Sequence, residues 1–404
     1  MEKLQNKIPL VRFSEFKDHW EHKELNELLS ESKKKNVDLK YGKEEVLSVS
    51  GELGIVNQIE HLGRSYAGVS VHNYGVVEVG DIVYTKSPLK ANPYGIIKIN
   101  KGKAGIVSTL YAVYNVNEKT ANGDFLDYYF SLDANTNRYL RPLVRKGAKN
   151  TLQVSDEEAI KGKIFLPQVT EQKRIANFFS VLDNKINELK EKKALLEEYK
   201  KGMMQKIFSQ EIRFKDDDGK EFVDWESKKL SETAEINPKN GKLPKSFIYI
   251  DLESVVKGRL NKKERVSVED APSRAQRILK SNDILFQMVR PYQRNNFFFD
   301  IESADYVAST GYAQIRTKNN TLFLYQLLHT DNFVNKVENK CTGTGYPAIN
   351  SSDLSKISVS IPSISEQIKI ANFLSKIDDK INTVNEQIEE SKEYKKGLLQ
   401  KMYC

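Results

Sequence analysis

Between residues 166 and 207 the apolar positions form one narrow stripe. Ile175, Phe179, Leu182, Ile186, Leu189, Leu196 and Met203 recur at steps of three or four, with one step of seven on each side of Leu196. That is the period of an α-helix with a single apolar face. Its flanks are rich in Lys, Glu and Asn, so a coiled-coil seam fits better than a helix sunk in a globular core. The pattern returns near the C-terminus as Ile370, Leu374, Ile377, Ile381, Val384, Ile388 and Leu398. Each helix is expected to begin after a proline, Pro167 or Pro362, with Thr170 or Ser365 as its N-cap. Glu171 or Glu366 then falls in the first turn, where the helix dipole favours a carboxylate.

The two helices are copies. "EQKRIANFFS" opens at Glu171 and "EQIKIANFLS" opens 195 residues later at Glu366; "KIN", "EYKKG" and "QK" follow at the same offset without insertion or deletion. Gly202 and Gly397 recur inside the pattern. Glycine there costs about 1 kcal/mol against alanine, so its recurrence predicts a close backbone approach or a helix end. The segments ahead of the helices match more loosely. "WEHKEL" (20–25) resembles "WESKKL" (225–230), "GDIV" (80–83) resembles "NDIL" (282–285), and "STLYA" (108–112) resembles "STGYA" (309–313). Short β-type runs such as "VVEVGDIVYT" and "FIYIDL" alternate with turn clusters and with helical pieces such as "DFLDYYFSL" and "TLFLYQLLHT".

The chain therefore reads as α+β, with two similar globular domains and two long helices. Residues 1–165 form the first domain, 166–210 a central helix, 211–360 the second domain and 361–404 a C-terminal helix. If the two stripes pack together, connectivity makes the helices antiparallel and the chain pseudo-two-fold symmetric. A helix of about 36 residues spans about 54 Å. The alternative is that the stripes pair with a second copy of the chain.

Composition narrows this only a little. A length of 404 residues suits two or three domains. A net charge of +8 permits contact with a polyanion. No apolar leader and no membrane-length apolar run is visible, and Cys341 and Cys404 form no metal-type pair. A cytoplasmic setting is the simplest expectation. Chemistry is sparse. There is no P-loop and no G-x-G-x-x-G. His19, His22, His61, His72 and His329 are scattered, and the first two read as solvated. "ANPYG", at Asn92–Tyr94, is faintly similar to the N-P-P-Y loop of amino-group DNA methyltransferases, but it lacks the second proline and reads as a turn. "KDDDGKEF" (215–222) reads as a solvated linker turn rather than a metal site. No catalytic residue, metal or cofactor is expected in this chain.

Matching places in the two domains carry basic-aromatic loops. After "GDIV" comes "YTKSPLKANPYG", offering Lys86, Lys90, Asn92 and Tyr94; after "NDIL" comes "FQMVRPYQRNN", offering Arg290, Tyr292, Gln293, Arg294 and Asn295. A second pair precedes each long helix. "LVRKGAKNTLQVS" offers Arg145, Lys146, Lys149, Asn150 and Thr151; "ENKCTGTGYPAINSSD" offers Lys340, Thr342, Thr344 and Tyr346. Arg, Asn and Gln can reach base edges in two-point contacts, and Lys suits phosphates.

"LPQVTEQKRIANFFSVLDNKI" with "EYKKGMMQKIF", and "IPSISEQIKIANFLSKIDDKI" with "EYKKGLLQKMY", resemble the conserved regions of specificity (S) subunits of type I restriction-modification systems. The resemblance implies that the two domains are target recognition domains, each reading half of a split sequence in double-stranded DNA. The antiparallel coiled-coil helices would set the gap. Two methyltransferase (M) subunits carrying S-adenosylmethionine would dock on the matching helical faces, which bear Glu171, Gln172, Phe178 and Tyr199 in one copy and Glu366, Gln367, Phe373 and Tyr394 in the other. They would methylate adenine, and two restriction (R) subunits with ATP and Mg2+ would add cleavage. Competing readings are a coiled-coil scaffold with two protein- or carbohydrate-binding heads, and a single-chain restriction-modification enzyme, which would need a cofactor loop.

Overall fold

The computed structural model describes residues 8–147, 152–303 and 305–403. The chain divides into two compact units, Met1–Leu189 with Gln387–Cys404, and Lys190–Glu386.

The first unit is built on an antiparallel sheet with strand order Leu29–Glu31, Tyr111–Val116, Ile82–Thr85, Ile96–Ile99. Every side chain of Ile82–Thr85 is buried, as expected of a short apolar run bounded by turn residues. The helix Gly123–Ser131 packs on this sheet and leads into Asp133–Leu140. Asn122 caps the first of these, its side-chain oxygen accepting from the Phe125 N–H at 2.9 Å. Two antiparallel strand pairs lie beyond, the hairpin Leu47–Ser50 with Gly54–Asn57 and the pair Gly75–Val77 with Gly105–Val107, joined by a parallel bridge from Val46 to Ile106.

The second unit repeats this plan. Its antiparallel sheet runs Ala234–Ile236, Tyr312–Thr317, Asp283–Gln287, Phe297–Phe299. Helices Thr321–Leu327 and Asp331–Glu338 follow, and Asn320 accepts from the Phe323 N–H at 2.9 Å. The corresponding layer is here a continuous sheet, Glu264–Ser267, Ser246–Ile250, Tyr306–Ser309, Ala275–Ile278, again with one parallel pair. Each unit is closed by a two-stranded clasp, Glu21–Glu24 with Lys163–Leu166 and Glu226–Lys229 with Ser358–Ile361. The "WEHKEL"/"WESKKL" match thus marks equivalent strands.

Helices Val169–Phe208 and Ile364–Met402 emerge directly from the clasps. They start two residues earlier than expected. The Gln168 carbonyl accepts from the N–H groups of Glu171 and Gln172 at 3.0 Å each, and Ser363 Oγ accepts from the Glu366 N–H at 3.4 Å. Thr170 and Ser365 therefore sit inside the first turn rather than capping it. The stripes pair within the chain, antiparallel in each unit. In the first unit Lys395 meets Asp183 at 2.5 Å, and Tyr128 donates to the same carboxylate at 2.8 Å. In the second, Lys200 meets Asp378 at 2.7 Å, and Gln326 donates to that carboxylate at 2.8 Å. Lys395 stands in its helix where Lys200 stands in the other, and so do Asp378 and Asp183. One contact is made twice with the helices exchanged.

Gly202 and Gly397 lie within continuous helix, and a Cβ added at either would meet nothing within 4 Å. Neither a close approach inside this chain nor a helix end accounts for them. The acidic "KDDDGKEF" stretch is a tight turn, with Asp216 accepting from the Asp218 and Lys220 N–H groups and Gly219 at φ 79°.

Candidate nucleic-acid interface

In the first unit, strand Ile82–Thr85 delivers the chain into a loop folded around Asn92. The Asn92 carbonyl accepts from the Leu89 and Gly95 N–H groups at 3.0 Å each. Gly95 has φ 94°, and a Cβ there would sit 2.1 Å from the Thr85 carbonyl oxygen, so only glycine fits. Asn92 is buried, and Lys86 is held by the Asp156 carboxylate. Both were candidates for DNA contact, but the first is enclosed and the second already neutralised. Lys90 remains exposed. Tyr94 packs on the core with the Lys146 ammonium 5.1 Å from its ring centre. Lys146 and Arg145 are exposed on a strand, Arg145–Lys146, paired with Leu152–Gln153. The two loops therefore converge. Lys149, with Asn150 and Thr151, lies outside the described residues.

The second unit makes the same junction with the roles exchanged. Strand Asp283–Gln287 leads to Arg290, whose φ of 52° is left-handed and uncommon for a non-glycine residue. Its N–H donates to the Pro347 carbonyl at 2.7 Å, and its guanidinium lies 4.1 Å from the Tyr346 ring centre. The first unit supplies the ring from its strand-end loop and the cation from its pre-helix loop; the second does the reverse. Such a contact contributes on the order of 0.5–1 kcal/mol at an exposed site. Tyr346 is 70% exposed and Tyr292 49%, leaving ring faces free for stacking. Gln293 is exposed, with its oxygen accepting from Gln287 at 2.9 Å. Arg294 turns away. It binds Asp331 at 2.6 Å and the His329 carbonyl at 3.0 Å, which makes it a tie within the unit rather than a free reader.

The matching helix openings also act differently from the expectation. Glu171, Gln172, Glu366 and Gln367 are all buried. Arg12 grips Glu171 with two bonds of 2.7 Å, and the Trp20 indole donates to it at 3.4 Å. Arg213 grips Glu366 at 3.2 and 2.8 Å, and Trp225 donates at 3.1 Å. Gln172 accepts from the Asn122 N–H and donates to the Pro167 carbonyl; Gln367 does the same with Asn320 and Pro362. These residues clamp each helix to its own head, so they cannot form a docking surface. Phe178 and Phe373 are partly buried against Phe13 and Phe214. Tyr199 and Tyr394 are the helix candidates that stay exposed, at 52% and 59%. The partners Arg12 and Arg213 carry no motif of their own, although "VRF" (11–13) and "IRF" (212–214) repeat in the sequence.

A groove of about 550 Å³ opens in the second unit between Met204, Phe208, Trp225, Leu327 and Phe333. His329 lines it. Burial pulls its pKa down to about 4, with Lys200 and Arg294 adding to the effect. Among the described residues no group of three or more His, Cys, Asp or Glu could hold a metal ion, and no helix is long and apolar enough to cross a membrane.

Two copies of one α+β head, each presenting a joined pair of basic-aromatic loops and clamped to a duplicated helix, define a two-part recognition protein. The chain belongs to the family described as type I restriction modification DNA specificity domain, whose model matches residues 17–198 and 222–392. It is similar to the type I restriction enzyme MjaVIII specificity subunit of Methanocaldococcus jannaschii, at 28% identity over 321 residues, covering 74% of this chain and 73% of that one. The HindI specificity subunit of Haemophilus influenzae is 30% identical over 154 residues, covering 37% of this chain and 33% of that one. The fold matches the crystal structure of the S subunit of a type I restriction-modification system from M. genitalium. The TM-score is 0.59 at 15% identity, covering 98% of this chain and 99% of that one.

Proposed function

We propose that this chain is the non-catalytic subunit that reads a bipartite DNA sequence and presents it to methyltransferase and restriction subunits. The observation that carries this is the loop junction. It is built at the same place in both heads, Tyr94 with Lys146 and Arg290 with Tyr346, from different side chains. A shared scaffold with divergent reading loops is what two unlike half-sites require. Lys90, Tyr94, Arg145 and Lys146 serve the first half-site, and Arg290, Tyr292, Gln293 and Tyr346 the second. Lys149 stays with the first set on its sequence alone.

Methyltransferase subunits dock on the exposed helical faces. Tyr199 and Tyr394 stand three residues before Gly202 and Gly397, on one helix face in each copy. An exposed ring beside a position with no side chain forms a step that a partner helix can enter closely. This division leaves S-adenosylmethionine on the M subunits, and ATP with Mg2+ on the R subunits.

Mapping methylated adenines in cells that carry this chain with its M subunit tests the reading. A split motif that disappears when residues 1–165 are deleted is expected; unchanged methylation at the same motif would refute it.

A further inference from the structure

Partly buried arginines in the second unit divide into two kinds. Arg213, Arg294 and Arg316 each hold a carboxylate, from Glu366, Asp331 and Asp283. Arg277 and Arg290 pair with no carboxylate among the described residues, and the Nε of each is buried without a hydrogen-bond partner. Arg290 belongs to the loop junction. Arg277 lies outside that junction, on the strand Ala275–Ile278.

The backbone ties the segments that carry both to one turn. Arg277 sits on the edge strand Ala275–Ile278, opposite Ala308. Just beyond, the Thr310 N–H donates to the Arg274 carbonyl at 2.8 Å, and the Met288 N–H donates to the Gly311 carbonyl at 3.0 Å. Two residues past Met288 is Arg290. The turn Thr310–Gly311 thus lies between the strand that carries Arg277 and the segment that carries Arg290, the two partly buried arginines that lack a carboxylate. The first unit has the same strand and turn, but the position opposite Val107 is Gly75. The cation is therefore a property of one head.

We propose that Arg277 binds a backbone phosphate of the DNA flanking the half-site read by the second unit. A guanidinium kept partly desolvated and unpaired has its natural partner in an anion, and a phosphate oxygen accepts from it directly. Placement on a rigid edge strand, beside the loop junction rather than in it, suits a contact that sets register and carries no sequence information. Desolvation also lowers the Arg277 pKa, as a cation held short of both water and a carboxylate should show.

This inference rests on the DNA-reading function proposed above. The test measures binding of the chain, assembled with its M subunits, to a duplex carrying the mapped motif across a range of salt. Arg277→Met keeps the aliphatic stem and removes the charge. It should weaken binding by about tenfold, lower the salt-dependence slope by about one, and leave the methylated motif unchanged. Arg277→Lys should restore most of the slope. Ethylation interference should lose a phosphate on the second half-site side alone. An unchanged affinity and slope in Arg277→Met would overturn the inference, and so would a changed motif, which would make Arg277 a base reader. A thermal melt shows whether the variant folds. If it does not, the ethylation pattern of the unaltered complex decides, and no interference beside the second half-site overturns the proposal. Failure of the unaltered complex to select its motif would instead overturn the DNA-reading function itself.

Discussion

Arg290 and Arg294 lie four residues apart, and both have φ 52°. They nevertheless do different work. Arg290 stacks on an exposed ring and has no carboxylate, whereas Arg294 is spent on Asp331 and the His329 carbonyl. Replacing Arg290 by alanine should relax recognition at the second half-site only, by roughly 1–3 kcal/mol of discrimination. Arg294→Ala should lower the stability of the unit while the methylated motif stays the same. Sequencing of methylated sites separates the two, and equal loss at both half-sites in Arg290→Ala would count against independent heads. His329 gives a pH prediction at this scale. Its folded pKa of about 4 lies below the ordinary value near 6.5, so the unfolded chain binds more protons between these limits. The contribution is complete above pH 6.5 and fades as pH falls toward 4, at a cost on the order of 3 kcal/mol. Denaturation curves of His329→Gln should lose that part of the pH slope; an identical slope would mean the imidazole is not buried neutral.

The two long helices keep what each head needs from them. Their opening Glu-Gln pairs are buried in a clamp of Arg, Trp and backbone groups, which accounts for their near identity without a partner protein. Breaking such a buried ion pair from one side typically costs 3–5 kcal/mol. The glycines have no such reason inside the chain. Gly202→Ala and Gly397→Ala should raise stability by about 0.5–1 kcal/mol each, because helical glycine is costly and the added methyl meets open space. If the glycines serve partner docking, the same variants should assemble poorly with M subunits. Greater stability with unimpaired assembly would remove them from the docking face.

At the scale of the molecule, the order head, helix, head, helix makes the two helices covalent elements shared by both units. Four residues inserted near Ala194, where the central helix carries few buried side chains, shift everything after it by about 6 Å along the helix. Ala194 lies between the paired positions Asp183 and Lys200, whose partners Lys395 and Asp378 belong to one uninterrupted helix. Either the gap in the methylated motif changes or assembly fails. Full activity with the old gap would show that the helices do not set the spacing.

The helices were legible because a helix is written locally. Residues at steps of three or four share a face whatever lies elsewhere, so the stripe and its duplication could be read directly. The two heads were legible as copies for a similar reason, since "NDIL" and "STGYA" mark strands and turns by their own composition. The site was not legible in this way. Glu171 looks like a surface residue of a first helical turn, and only Arg12, 159 residues away, makes it a buried clamp. Lys86 looks like a phosphate binder until Asp156 closes on it. Tyr94 with Lys146, Arg290 with Tyr346, and the unpaired state of Arg277 are likewise set by neighbours distant in sequence. Sequence by itself determined the repeat, the periodicity and the absence of recognised catalytic motifs, because these depend on residues close together in the chain. Which charges stay free to meet DNA was decided only by the tertiary structure, because a charge is free or spent according to what packs against it.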